Sequence, residues 1–300
     1  MNNSIKKYIK YDSYLLVLSN ESETKKYEKV VNYTRHDDNY LRLFATEIDF
    51  LNRCYKLPDN KSILIYISSS NNIDHIYKII QLYPEIEYHI YNLSIIDYNL
   101  PNVKIYNRIF TFDDIQQYKD SMLDIYVISN FENENIKDNI EYSKKEELLG
   151  DDLDLQMKLL KELNPNSGAY LKFRLPHFIE DKLNPLEDNL ISYFQGIVFK
   201  TIFSKIKTSE CRLYVKDFNL TTEWNYKKLN EQMYYYNDII RETIVNNPII
   251  NGREIIKKYD NNFDSMILLW ILKDYLRKRS YSFPTEDELM KLYNYVSERT

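Results

Sequence analysis

No glycine occurs in the first 149 residues, a stretch in which amphipathic helical runs alternate with apolar strand-like ones. The helix predicted over 40–56 carries Leu41, Phe44, Ile48 and Leu51 at spacings of 3 and 4. Pro58-Asp59 ends it, and the run 62–68, Ser-Ile-Leu-Ile-Tyr-Ile-Ser, reads as a strand. Helices over 73–83 and 112–121 and strands over 87–93, 103–108 and 123–129 continue the alternation. Mostly apolar strands interleaved with helices imply an α/β fold with a mainly parallel sheet covered on both faces. A Rossmann-like sheet of this kind turns onto its ligand through glycine after the first strand, since only glycine brings backbone close without a Cβ. Here Ser69-Ser70-Asn71-Asn72 stands in that place. The scaffold is kept and its cofactor turn rebuilt.

Further along, the charged stretch 133–152 is expected to be a loop, and 153–163 a helix stopped by Asn164-Pro165. A strand runs from Gly168 to Leu175 and ends at Pro176. Two more strand-like runs, 191–199 and 209–216, complete the predicted sheet. The C-terminal third reads as helical over 224–246, 262–279 and 285–298, the last entered through Pro284-Thr285 with Glu286 and Glu288 in its first turn. Residues 1–30 are polar and weakly patterned, an extended arm, and 31–300 are expected to form one domain with a helical C-terminal region.

Composition narrows the function classes without choosing one. A net charge of -5 argues against indiscriminate nucleic-acid binding and leaves room for a local basic groove. Cys54 and Cys211 lack metal-site spacing and, with no signal-peptide pattern, fit a reducing cytosolic setting. The apolar run Met266–Leu272 is too short and too flanked by charge to span a bilayer. Only four glycines stand against 29 tyrosines, with Asn, Ile and Lys also abundant, the mark of AT-rich coding. Tyrosine and lysine excess is therefore no functional signal by itself.

The segment Leu163–Pro176 reads L-N-P-N-S-G-A-Y-L-K-F-R-L-P. It resembles the poxvirus poly(A) polymerase small-subunit family, in which an L-N-P turn precedes a strand bearing L-K-W-R and then proline. Ser209–Leu213 is similar to that family's A-E-M-R-L strand, and Met233–Arg241 to its M-Y-Y-L-N-K-I-V-R helix. Fainter similarity covers Leu41–Leu43, Glu47, Tyr66-Ile67 and Leu100–Arg108, so the resemblance spans roughly residues 33–280 in matching order. AT-rich coding also suits an insect poxvirus.

That family joins two roles, regulatory subunit of the polymerase and cap-specific mRNA 2′-O-methyltransferase. The resemblance implies a Rossmann-like methyltransferase fold, S-adenosylmethionine as donor with no metal, and a Lys-Asp-Lys-Glu tetrad around the ribose. Lys172 matches the lysine that takes the hydroxyl proton, and Glu210 the glutamate. A solvated strand-end lysine and a plain Glu210–Arg212 ion pair are the bland alternatives. Arg42 replaces the first lysine, fixing its charge, and Asn130 replaces the aspartate, removing one. At the implied donor site Tyr66 is retained, while Ser68 and Asn72 replace glycines and Tyr91 replaces the acid for the ribose. Asp97 substitutes for that acid only if its loop is rebuilt, and Tyr40 stands in place of a glutamine. For the cap, a one-residue shift makes Phe178 the stacking ring and Glu180 the edge reader, with Glu231 as second acid; without it His177, Ile179 and Asn230 fall there.

Two functions follow as expectations. One is a processivity subunit with a degenerate methyl-transfer site, bound to a viral poly(A) polymerase catalytic subunit and to capped or U-rich mRNA. It would work in the host cytoplasm, with packaging in the virion a possibility and no membrane role. The other is an active 2′-O-methyltransferase; a partner-binding module without either role is the third reading. The basic run Lys200–Lys216 and the cluster Arg277-Lys278-Arg279 are candidate phosphate contacts or plain solubilising charge.

Overall fold

The computed structural model describes residues 8–9, 15–26, 38–55, 61–69, 73–94, 99–131, 142–176, 190–205, 208–245, 249–250, 253–254, 263–280 and 284–298. After a short strand β1 (Tyr8–Ile9) come α1 (Asn39–Cys54), β2 (Ser62–Ser68), α2 (Asp74–Leu82), β3 (Glu87–Asn92), β4 (Val103–Tyr106), α3 (Phe112–Lys119) and β5 (Asp124–Asn130). Then follow α4 (Tyr142–Leu163), β6 (Ala169–Phe173), β7 (Leu190–Phe194), β8 (Ile197–Phe199), β9 (Cys211–Val215), β10 (Thr221–Asn225) and α5 (Tyr226–Asp238). The short strands β11 (Ile244–Val245), β12 (Ile249–Ile250) and β13 (Arg253–Glu254) lead to α6 (Phe263–Ser280) and α7 (Glu286–Ser297).

Seven of these strands form one sheet in the order β4-β3-β2-β5-β6-β9-β8. The first five are parallel, and β9 and β8 add an antiparallel pair at one edge. Strand order reverses between β2 and β5, the doubly wound arrangement expected of a methyltransferase-like sheet. Side chains alternate across it: Ser129 receives a bond from Gln156 of α4, while its neighbour Asn130 bonds Glu47 of α1. So α1, α2 and α6 cover one face and α3 and α4 the other.

The chemistry of individual residues explains the elements. Asp38 caps α1 by accepting the Leu41 amide at 3.0 Å, and α3 and α7 open on capping boxes, Thr111/Asp114 and Thr285/Glu288. The L-N-P motif is a helix stop: Asn164 ends α4 at φ 45°, and the Asn166 carboxamide accepts the Ile125 amide at 2.7 Å, pinning the start of β5. Gly168 has φ 98°, and a Cβ there would lie 2.8 Å from the Val215 carbonyl. Tyrosine serves as a core residue wherever its hydroxyl finds a partner. Tyr88 donates to the Tyr83 carbonyl at 3.0 Å and Tyr193 to Gln156 at 2.5 Å. Central α6 buries Met266, Ile267, Leu268, Leu269, Ile271 and Leu272, each side chain contributing about 1.5–3 kcal/mol of apolar burial.

Three expectations are corrected. The stretch from Tyr142 to Asp152 is the first half of α4, not a loop. Its charges are paired within the fold: buried Glu146 receives Arg174 and Lys144 bonds Glu147 at 2.7 Å. The run 191–199 is two strands, parted at Gln195-Gly196, where a Cβ on Gly196 would sit 2.4 Å from the Tyr214 carbonyl. Only β8 joins the sheet; β7 pairs with β10 in a separate antiparallel ribbon. The helix expected over 224–246 begins at Tyr226, ends at Asp238 and gives way to a short 3-10 turn and β11. The Trp224 indole holds the preceding residues in the ribbon by donating to the Phe194 carbonyl at 3.0 Å.

Within the polar arm, residues 16–18 lie along β8. The Leu18 amide donates to the Val198 carbonyl at 2.8 Å, the Lys200 amide to the Leu16 carbonyl at 2.7 Å, and Leu16 is buried. Farther along, the Lys25 amide reaches the Glu231 carbonyl on α5 at 3.0 Å.

Candidate functional site

The carboxyl ends of β2 and β5 flank the point where strand order reverses, where a doubly wound sheet places its ligand. Ser68 sits in register with Asn92 on one side and Asn130 on the other. The Asn92 amide donates to the Ser68 carbonyl at 3.0 Å, lacing β3 to β2 across their ends. Helix α1 delivers Arg42 and Glu47 to this edge, α2 delivers His75, β6 delivers Lys172, and β9 brings Arg212 just after Glu210.

The four positions matched to the tetrad converge. Glu210 is the hub: Arg42 approaches it at 3.1 Å, Arg212 at 3.5 Å and Lys172 at 3.9 Å. Arg212 also donates to the Asn130 side-chain oxygen, joining the fourth position to the rest. Lys172 and Arg212 are direct cross-strand partners, a like-charge pairing that the carboxylate between them offsets. Burial alone would raise the Glu210 carboxyl, but Lys172, Arg42 and Arg212 together pull it down to about 2.

A second, fully buried cluster adjoins the first. Glu47 accepts from the Tyr66 hydroxyl at 3.1 Å and from the Asn130 amide at 2.9 Å, while its other oxygen lies 3.2 Å from His75 Nε2. The Asn130 amide also donates to Tyr66 at 2.8 Å, and His75 Nε2 lies 2.9 Å from the same hydroxyl. An Nε2–H tautomer of His75 satisfies all of these contacts. Burial first, and Glu47 next, push the Tyr66 phenol well above its ordinary range. Arg212, Glu47 and His75 were not assigned roles from the sequence. The available signals were an acid on the apolar stripe of α1, three residues after Phe44, and an arginine two residues after Glu210 on the same strand face.

The expected donor-site positions divide in two. Tyr66 and Ser68 lie at the reversal point, and the Tyr40 ring meets His75 edge-on at 6.4 Å. Tyr91 belongs instead to an aromatic cluster, stacked on Tyr106 at 4.4 Å, with its hydroxyl 3.0 Å from Tyr118 and accepting from Gln117 at 2.6 Å. The Arg108 guanidinium, paired with Asp114, covers both rings at 5.6 and 5.7 Å. Asn72 and Asp97 lie outside the described residues. A sulfonium donor carries an ammonium and two ribose hydroxyls that need acceptors. Glu47 and Glu210 at this edge are engaged as above, while Asp74 opens α2 just past β2 and buried Asp152 lies beside Lys172.

Phe178 and Glu180 lie outside the described residues, as do His177 and Ile179. Glu231 is on α5, where its carbonyl holds the arm, and no bond among the described residues joins it to the Lys172 cluster. Beside Lys172, between β6 and α4, a shallow depression is lined by Phe131, Leu149, Asp152, Leu153, Gln156 and Arg174 as well. Among the described residues no group of three or more His, Cys, Asp and Glu is placed to hold a metal, and no helix is long and apolar enough to cross a membrane.

No curated protein matches the sequence. A solved structure of bluetongue virus VP4, described as a multifunctional RNA-capping production line, is similar at 12% identity with a TM-score of 0.46. The similarity covers 84% of this chain and 43% of that one, so the chain spans less than half of its length. The family described as poly A polymerase regulatory subunit matches residues 8–296. The match takes in α1 through α7 with every residue of the Glu210 and Glu47 clusters, and the chain belongs to the poly A polymerase regulatory subunit family.

Proposed function

We propose that the chain is the processivity-raising regulatory subunit of a viral poly(A) polymerase, acting in mRNA 3′ polyadenylation in the infected cell's cytoplasm. Its methyltransferase-like scaffold has turned the donor end over to structure. Family membership supports the first statement. The observation that carries the second is the buried Glu47–Tyr66–His75–Asn130 network at the reversal point. An aspartate at position 130 would leave an acceptor for a cationic donor; asparagine instead donates to Glu47 and accepts from Arg212. The physical mechanism is effective concentration: a subunit that holds the transcript beside the polymerase makes re-engagement faster than escape. Mixing the purified chain with the viral catalytic subunit and sizing the tails tests it. Longer tails and a stable complex are expected, and neither appearing would discard the reading.

A second reading, an active cap-specific 2′-O-methyltransferase, draws on one observation, the convergence of Arg42, Lys172 and Glu210. Calorimetry with S-adenosylmethionine and a methylation assay on capped RNA separate the two. Micromolar donor binding with methyl transfer would establish the enzyme; the network described above leads us to expect neither.

A further inference from the structure

At the amino edge of the sheet, opposite the Glu210 cluster, three distant segments bring cations together. Helix α1 runs from Arg42 at the carboxyl edge to Arg53 at the amino edge, about 16 Å away at the helical rise. Its last turn adjoins the C-terminal turns of α6, where Trp270, Lys273, Arg277 and Lys278 recur at helical spacing. Lys216, just past the end of β9, completes the group beside Cys54. Arg53 and Lys278 act on each other and on Asp49.

The nearby acids offset part of this charge, five cations standing against three carboxylates. Asp49 is buried and bound to Arg53 at 2.9 Å, Asp274 pairs with Arg277 at 3.5 Å, and Asp217 accepts the Asn219 amide at 2.9 Å. Arg277, Lys278 and Lys216 stand exposed. Burial, with Arg277 as a contributing like charge, holds both the Lys273 and Lys278 amines below their ordinary range. Excess positive potential on a chain of net charge -5 calls for an anionic partner.

We propose that this amino-edge face, built from Arg53, Lys216, Lys273, Arg277 and Lys278, binds the phosphate backbone of single-stranded RNA. The Lys273 amine lies 4.6 Å from the Trp270 ring centroid, so cation and aromatic stand together as single-strand sites require. A membrane surface would ask for apolar side chains among the cations. Among the described residues, the large apolar side chains that stand exposed include none from α1 or α6; Leu220, four residues past Lys216, is the one nearest the face in sequence. The site lies a helix length away from Lys172, at the opposite edge of the sheet.

This inference rests on the RNA-handling part of the proposed function, and one titration separates their failures. Fluorescein-labelled oligouridylate is titrated with the full chain over a range of salt concentrations, and again with the Lys216→Gln/Arg277→Gln/Lys278→Gln variant. Each phosphate contact on a single strand contributes about 0.7 to the slope of log K against log salt, so the variant's slope should be shallower by about 2. Equal melting temperatures establish that both chains fold. A wild type that binds with the variant's slope unchanged overturns the amino-edge site and leaves RNA handling intact. A wild type that binds no RNA overturns both. A variant that keeps its RNA slope but loses the polymerase subunit overturns the RNA assignment in favour of a protein-docking face.

Discussion

Replacing Glu210 with glutamine keeps its shape and removes the one charge that holds Arg42, Lys172 and Arg212 together. The carboxyl is drawn from an ordinary 4.5 to about 2 in the folded chain, and at 1.36 kcal/mol per unit its ionised form is worth about 3 kcal/mol. A depressed pKa gives stability that is present above the unfolded value and lost as pH falls toward the folded one. Wild type should therefore exceed Glu210→Gln by about 3 kcal/mol at neutral pH. The gap should narrow to about 1 kcal/mol near pH 3 and close below pH 2. Urea unfolding of both proteins at pH 7 and pH 3 measures it, with equal slopes required for the comparison. A gap under about 1 kcal/mol at pH 7, or one that does not change with pH, would refute the view that this carboxylate is the electrostatic keystone of the site.

Asn130→Asp sets a carboxylate against Glu47, whose nearer oxygen now accepts the amide at 2.9 Å. A loss of about 1–3 kcal/mol at pH 7 without gain of methyl transfer is expected, read by thermal melting and a capped-RNA methylation assay. Gly168→Ala forces a Cβ onto φ 98° and against the Val215 carbonyl, and should cost about 1–3 kcal/mol in denaturant unfolding. Asp264→Ala strips the buried Arg241 guanidinium of its carboxylate, bonded at 2.9 Å to Nε, and should destabilise by about 3–5 kcal/mol. A melting temperature close to wild type would show that Ser204 and Asn237 alone satisfy that charge.

The fold was legible where burial is symmetrical. A strand covered on both faces is apolar at nearly every position, so 62–68 and its parallel neighbours stood out as continuous runs. Capping chemistry marked α7 as clearly, through Thr285 and Glu288. What escaped was structure decided by distant partners. The first half of α4 carries too much charge for an apolar stripe, and Arg174, which donates to Glu146, is 28 residues on. The β7–β10 ribbon likewise depends on a pairing between residues 190–194 and 221–225 that no local pattern announces. At the site, family resemblance placed Arg42, Asn130, Lys172 and Glu210 together, while composition and spacing alone gave only a lysine and an acid on separate strands. The Glu47–His75 half went unread because one acid in an amphipathic helix and one histidine have no shared spacing until α1 and α2 pack.

The contact of residues 16–18 with β8 has a consequence for how the chain is made. An edge strand left bare offers its amide and carbonyl row to any other chain, and Ile197 adds a half-exposed apolar side chain to that invitation. Its natural cover is synthesised first, yet Phe199 emerges only after about 180 further residues, about 10–40 s later at ribosomal speed. During that interval Leu16 and Val17 have no strand to lie against, and closure must wait for a loop spanning most of the sequence. The seam that shields this sheet edge thus joins segments made far apart in time, and it can close only once β8 has been synthesised.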